Sequence, residues 1–195
     1  MTGAIPSLAR FEEAVETIAE RVRRVTSALE RHRLPYQVVG GLAVAAWVAR
    51  ADPEAVRATR DVDVVIRRGD LERARQALVE IGFEFRQVVG VAMFVDREKP
   101  RVRGGIHLVF ENEKVRKEYA HPVPALADDP PRAQEGFRIA PLESLVCMKL
   151  TSFRDKDRVH LRDMLDVNLI SAEIENNLPP DLQERLRQLK ETAED

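Results

Sequence analysis

Along the first thirty residues Phe11, Val15, Ile18, Val22, Val25 and Leu29 recur at spacings of four and three, with Glu and Arg between them. That is the period of an amphipathic helix. Ser7 stands where an N-cap is wanted. The stripe stops before Pro35 after under three heptads, so it predicts a helix packed on the body of its own chain and not a coiled-coil seam. Tyr36-Gln37-Val38-Val39 is then short and β-prone, two glycines stop it, and the alanine-rich run from Leu42 to Arg50 favours helix.

Strict alternation follows in Asp61-Val62-Asp63-Val64-Val65-Ile66, a strand that puts Asp61, Asp63 and Val65 on one face and Val62, Val64 and Ile66 on the other. Asp70 is placed to cap a helix bearing Leu71, Ala74, Ala77, Leu78 and Ile81, with Gly82 at its C-terminal turn. Strands are expected at Phe83 to Val88, at Val91 to Val95 and, after the Gly104-Gly105 break, at Ile106 to Phe110, where His107 shares a face with Glu111. From Glu118 to Gly136 come four prolines and few large apolar residues, which reads as a surface connection. Helices are expected at Pro141 to about Phe153, Val159 to Ile170 and Pro180 to Lys190. The pattern predicts an α+β fold: a small, twisted mixed sheet with helices against one face and a C-terminal helical lobe. The expected division is 1–34 for the N-terminal helix, 35–140 for the α/β core and 141–195 for the lobe.

Composition narrows the function classes. Thirty-one basic and thirty-three acidic residues leave a net charge of -2, so no global field recruits nucleic acid or an anionic membrane. The single Cys147 forms no internal disulfide and reads as a packing residue, and no Cys/His cluster has zinc spacing. The first residues lack the basic start and apolar run of a secretion signal, and no stretch approaches the roughly 20 apolar residues of a membrane span. The expected location is a reducing cytoplasm, with no membrane partner.

The chemistry lies in two features. A glycine pair between strand and helix lets a backbone approach phosphate, whose charge the helix start favours. Two carboxylates at i and i+2 of a strand lie about 6 to 7 Å apart and suit one or two hard divalent ions. An Asp-x-Asp strand also occurs in dehalogenase-like phosphatases, but there the acids follow the buried strand, whereas Val64, Val65 and Ile66 come after them here. The run Arg154, Lys156, Arg158 and Arg162, alternating with Asp155, Asp157, Asp163 and Asp166, reads as a solvated helix face. His160 reads as a residue of that helix surface.

Val39-Gly40-Gly41-Leu42-Ala43 followed by Ala58-Thr59-Arg60-Asp61-Val62-Asp63-Val64-Val65 resembles the signature of the polymerase-β-type nucleotidyltransferase superfamily. With the later Met148-Lys149-Leu150, Lys156-Asp157 and His160-Leu161-Arg162-Asp163 it is similar to small bacterial branches, including the AbiEii toxin-like group. The resemblance spans roughly Val38 to Asp166. It implies that Gly40 and Gly41, with Thr59 beside them, hold the phosphates of an NTP substrate, and that Arg60 neutralises phosphate or pairs with a neighbour. It further implies that Asp61 and Asp63 bind Mg²⁺ or Mn²⁺ and that Lys149 reaches a phosphate or ribose. Where the superfamily carries a third acid on a neighbouring strand this chain has His107, which can bind a metal or accept a proton but brings no negative charge.

Two readings of function follow. One is metal-dependent transfer of a nucleoside monophosphate to a hydroxyl of RNA, a protein or a small molecule, with Asp61, Asp63 and His107 as the catalytic set. The other is a degenerate nucleotide-binding or toxin-antitoxin-type interaction module, acting with a protein partner or as a homodimer.

Overall fold

The computed structural model describes residues 8–59, 61–88, 91–98 and 104–192. The expected cap Ser7 and the expected phosphate contact Arg60 lie outside the described residues. Helix α1 (Leu8–Arg31) buries Ile18, Val22, Val25, Ala28 and Leu29, the second half of the predicted stripe. It packs against α3 (Leu71–Glu80). Arg24 fixes its direction by donating to the Ile81 carbonyl at 2.7 Å and to the Asp96 carboxylate at 3.0 Å.

Five strands form one mixed sheet in the order β1-β2-β5-β4-β3. They are β1 (Gln37–Val39), β2 (Val62–Ile66), β3 (Phe83–Val88), β4 (Val91–Asp96) and β5 (Ile106–Phe110). Only β2 and β5 run parallel; the other three pairings are antiparallel. Asp61 falls one residue before β2, with its backbone outside the ladder. Asp70 precedes α3 as expected, but its carboxylate makes no cap and instead takes a hydrogen bond from Arg73 at 2.8 Å. Gly82 adopts the left-handed φ of +91° that ends a helix.

Period-two alternation decides what each sheet face covers. Val62, Val64, Ile66, Ile106, Leu108 and Phe110 point into the main apolar core. That core continues without a break through α2 (Gly40–Ala51), α4 (Leu142–Ser152), α5 (Asp155–Asp166) and α7 (Pro180–Glu191). Val65 and Val109 point the other way, against Val39, Val123, Leu126, Ala140 and Met148. The proline-rich connection is therefore more than a surface loop: it buries Val123 and Ala133, and Ile139 pairs in parallel with Val38.

The C-terminal part departs from the sequence pattern at two points. Helix α5 starts at Asp155, four residues before the expected Val159, because the Asp157 carboxylate accepts from the Arg154 amide and closes the first turn. The segment expected to continue it to Ile170 ends at Asp166, and a further short helix, α6 (Ala172–Asn177), is capped by the Ser171 hydroxyl. No described helix is long and apolar enough to cross a membrane.

Leu161 is fully buried on α5, the helix that packs against both α2 and α4. Leu161→Ala should cost about 2 to 5 kcal/mol, read as a shift of the urea midpoint at unchanged slope.

Candidate active site

Asp63 occupies the centre of the site because the sheet gives it a neighbour on each side: Val39 on β1 and His107 on β5. The chain leaves β1 directly into α2, and Gly40 takes φ +70° to make that turn. A Cβ on Gly40 would lie 2.0 Å from Asp63 Oδ2, so the space a side chain would fill holds a carboxylate oxygen instead. Glycine is required here twice, by its φ and by this contact. The other oxygen, Oδ1, lies 3.1 Å from His107 Nδ1. With a carboxylate as partner that nitrogen carries the proton, and the hydrogen bond, ahead of the charge of Asp63, raises the imidazole above its ordinary value.

Asp61 turns one oxygen back to the protein, where Oδ1 accepts from the Gly104 amide at 3.2 Å. Each acid thus keeps one oxygen without a hydrogen-bond partner among the described residues. Glu111, on the sequence pattern a same-face neighbour of His107, goes elsewhere: it accepts from Arg67 at 3.2 Å and from the Leu126 amide at 2.8 Å.

Helices α4 and α5, which both pack against α2, add a further set of charged residues. Lys149 is 5% exposed and donates to Asp157 Oδ1 at 3.1 Å. Burial lowers its pKa, while the charges of Asp157 and then Asp63 work to raise it. Asp157 is fully buried and also accepts from Ser152 at 2.7 Å and from Arg154 Nε at 2.7 Å. Burial works to raise that carboxyl, but Arg154, Lys149 and Ser152 together hold it well below the usual range. Arg154 is held up by Asp157 and by the more distant Asp63 against its own partial burial. The alternating Arg/Asp run is a solvated face at Arg154, Asp155, Lys156, Arg158 and Asp166 but not throughout: Asp157 is a buried hub, and Asp163, also buried, takes both its hydrogen bonds from Arg57 Nε at 2.7 and 2.9 Å.

That last contact holds the loop before β2 against α5. It brings Thr59 beside Gly41, where an added Cβ would lie 2.9 Å from the Thr59 hydroxyl and 3.3 Å from His160 Cε1. His160, read from the sequence as a helix-surface residue, is therefore part of the glycine turn's surroundings. Its place could have been found from the four-residue helical spacing to Lys156 only with the position of α5 already known.

Gly40, Gly41, Thr59, Asp63, His107 and His160 thus form one continuous group. Lys149 faces Asp157 directly and the charge of Asp63 at longer range. The fit to a divalent ion is one of donor chemistry: two carboxylates suit a hard cation. Among the described residues no three His, Cys, Asp or Glu side chains gather as a ligand cluster.

The family whose profile matches residues 7–193 is described as uncharacterised nucleotidyltransferase, and the chain belongs to it. No curated protein matches. Among solved structures, the crystal structure of ANT(2'')-Ia in complex with adenylyl-2''-tobramycin is similar at 13% identity and TM-score 0.54, over 91% of this chain and 99% of that one. An antigenic nucleotidyltransferase-like protein from Paracoccidioides brasiliensis is similar at 16% identity and TM-score 0.52, over 97% of this chain and 91% of that one. At such identities the likeness is one of fold, and that fold is the expected α+β arrangement.

The two histidines of the site respond to pH in opposite senses. His107, raised, stabilises the fold in acid and loses that contribution as pH rises through its folded value. His160, lowered to about 4 chiefly by burial and then by the charge of Lys149, is most stabilising when neutral. Its contribution is complete above the unfolded value of about 6.5 and is lost as pH falls from there toward its folded value. His160→Asn should flatten the stability profile across that interval relative to wild type, as measured by denaturant unfolding at a series of pH values.

Proposed function

We propose that the chain transfers a nucleoside monophosphate from an NTP to a hydroxyl acceptor. The observation that carries this reading is the contact of Gly40 with Asp63, which makes the phosphate-type turn and the acid pair two sides of one site. In that reaction the acceptor oxygen bonds to the α-phosphorus, the bond to the bridging oxygen breaks, pyrophosphate leaves and the hydroxyl proton is released.

The chain's own contributions follow from the geometry. The amides at the start of α2, which lack intrahelical partners, receive phosphate oxygens. His107 Nδ1–H holds one oxygen of Asp63, fixing the direction of the other. Lys149 and Arg154 supply positive charge whose influence extends to Asp63. Asp61 and Asp63 would hold Mg²⁺ or Mn²⁺, which when bound would draw charge off the phosphates and the leaving pyrophosphate.

His107 in place of an acid favours a second reading, a nucleotide-binding or protein-interaction module that has lost turnover. A chain that binds ATP, is inert, and gains transfer activity as His107→Asp would establish that reading.

Labelled NTPs with Mg²⁺ or Mn²⁺ and pooled acceptors test the first reading. ANT(2'')-Ia was solved with an adenylylated small molecule, so small molecules head the pool, beside RNA and protein. Asp61→Asn with Asp63→Asn should lower label transfer by at least about a hundredfold while thermal unfolding stays cooperative. Transfer unchanged in the double variant excludes this site.

A further inference from the structure

His160 lies three residues after Asp157 on α5, and its ring closes on the glycine turn, with Cε1 3.3 Å from where a Gly41 Cβ would stand. Cε1 is bonded to both ring nitrogens, so the ring edge presented to Gly41 is its hydrogen-bonding edge. The Thr59 hydroxyl flanks the same point at 2.9 Å.

The two nitrogens differ. Nδ1 is fully buried and has no hydrogen-bond partner, whereas Nε2 is not among the fully buried unpaired atoms and has no hydrogen-bond partner among the described residues. A neutral imidazole carries one proton. On Nδ1 that proton would be a buried donor with no acceptor, the costlier kind of unpaired group. On Nε2 that cost does not arise, and the proton stays next to Cε1, the ring atom closest to Gly41. The positive charges of Lys149 and Lys156 act on the ring and oppose a second proton, while Asp157 and Asp163 act the other way; burial decides for the neutral form. The surroundings thus select the Nε2–H tautomer. A residue needed only to fill this volume would be better apolar, with no unpaired nitrogen buried at the site.

We propose that His160 is a nucleotide-binding residue, whose neutral Nε2–H donates, together with the Thr59 hydroxyl, to a phosphate oxygen of the NTP seated on Gly40 and Gly41. The inference rests on the nucleotidyl-transfer reading and adds to it a contact from the C-terminal helices. A neutral donor next to two lysines adds a directional bond to phosphate without adding to the positive charge already there.

Titration calorimetry of the full chain with ATP, and separately with inorganic tripolyphosphate, in one Mg²⁺ buffer tests this. His160→Phe keeps the ring volume and removes the donor. It should weaken both ligands on the order of tenfold or more, and His160→Gln, whose amide N–H reaches the place of Nε2–H, should recover most of the loss. His160→Phe that binds ATP as wild type does overturns the proposal, because the ring is then only packing. Weakening of ATP without weakening of tripolyphosphate overturns the phosphate contact. If thermal unfolding shows that His160→Phe does not fold, His160→Gln against His160→Asn decides: Gln binding better supports the Nε2 donor, and equal affinities overturn it. Wild type that binds neither ligand removes the nucleotide reading itself. Wild type that binds both, with His160→Phe unchanged, removes only the role of His160.

Discussion

The close approach of Gly40 to the Asp63 carboxylate is the constraint on which the site's geometry depends. β1 is only three residues long, and its last residue pairs with Asp63 on β2, so the chain must leave the sheet immediately beside an acid. Any side chain at position 40 would collide with Oδ2, and any residue other than glycine would resist φ +70°. Because the turn is made there, α2 starts with its unpaired amides beside Asp63. It is anchored further along, where the Trp47 indole donates to the Ala140 carbonyl at 3.0 Å. The parallel pairing of β2 with β5 then sets His107 on the remaining side of the same acid. One residue therefore joins a glycine turn, an acid strand and an imidazole.

The second determinant is electrostatic. Lys149 and Arg154 are two cations that share the anion Asp157, and of the two only Lys149 is buried. Burying such a group is unfavourable unless further negative charge is near. Asp63 supplies part of it, which is why its influence is felt at both cations. An anionic ligand at the glycine turn would complete the compensation. Asp157 meanwhile keeps the cations oriented when no ligand is there, since four donors converge on its two oxygens: Lys149, Ser152 and the side chain and amide of Arg154.

What could be read from the sequence followed from local rules. β5 was legible to the residue and β2 to within one, because alternation of apolar and polar positions is imposed by the pleat. Gly40–Gly41 and Asp63 were each legible from local patterns, a turn between strand and helix and a same-face acid, and the resemblance of the two motifs to one signature joined them. The C-terminal helices were less so. Asp157 looked like one member of a solvated charge run because its burial is decided by Lys149, from another helix. Asp163 is likewise buried by Arg57, 106 residues away, and His107 was identified by its strand but not by its bond to an acid 44 residues earlier. Charge alternation records period, and it carries no information about which distant element covers it.

His107 and His160 show how far environment, and not residue type, sets the chemistry here. Both are partly buried, His107 bonded to Asp63 and His160 beside Gly41, yet one is pulled toward the charged form by a hydrogen-bonded carboxylate and the other toward the neutral form by burial and then by the charge of Lys149. Neither position reproduces an acid, so the site's negative charge comes from Asp61 and Asp63 alone, opposed by the cations of α4 and α5. Such a balance favours binding of a polyanionic ligand over strong capture of a free cation, because the cations that attract phosphate also repel an unaccompanied metal. Under the proposed reaction, nucleotide and divalent ion would therefore bind together, with the phosphates supplying oxygen ligands beside Asp61 and Asp63.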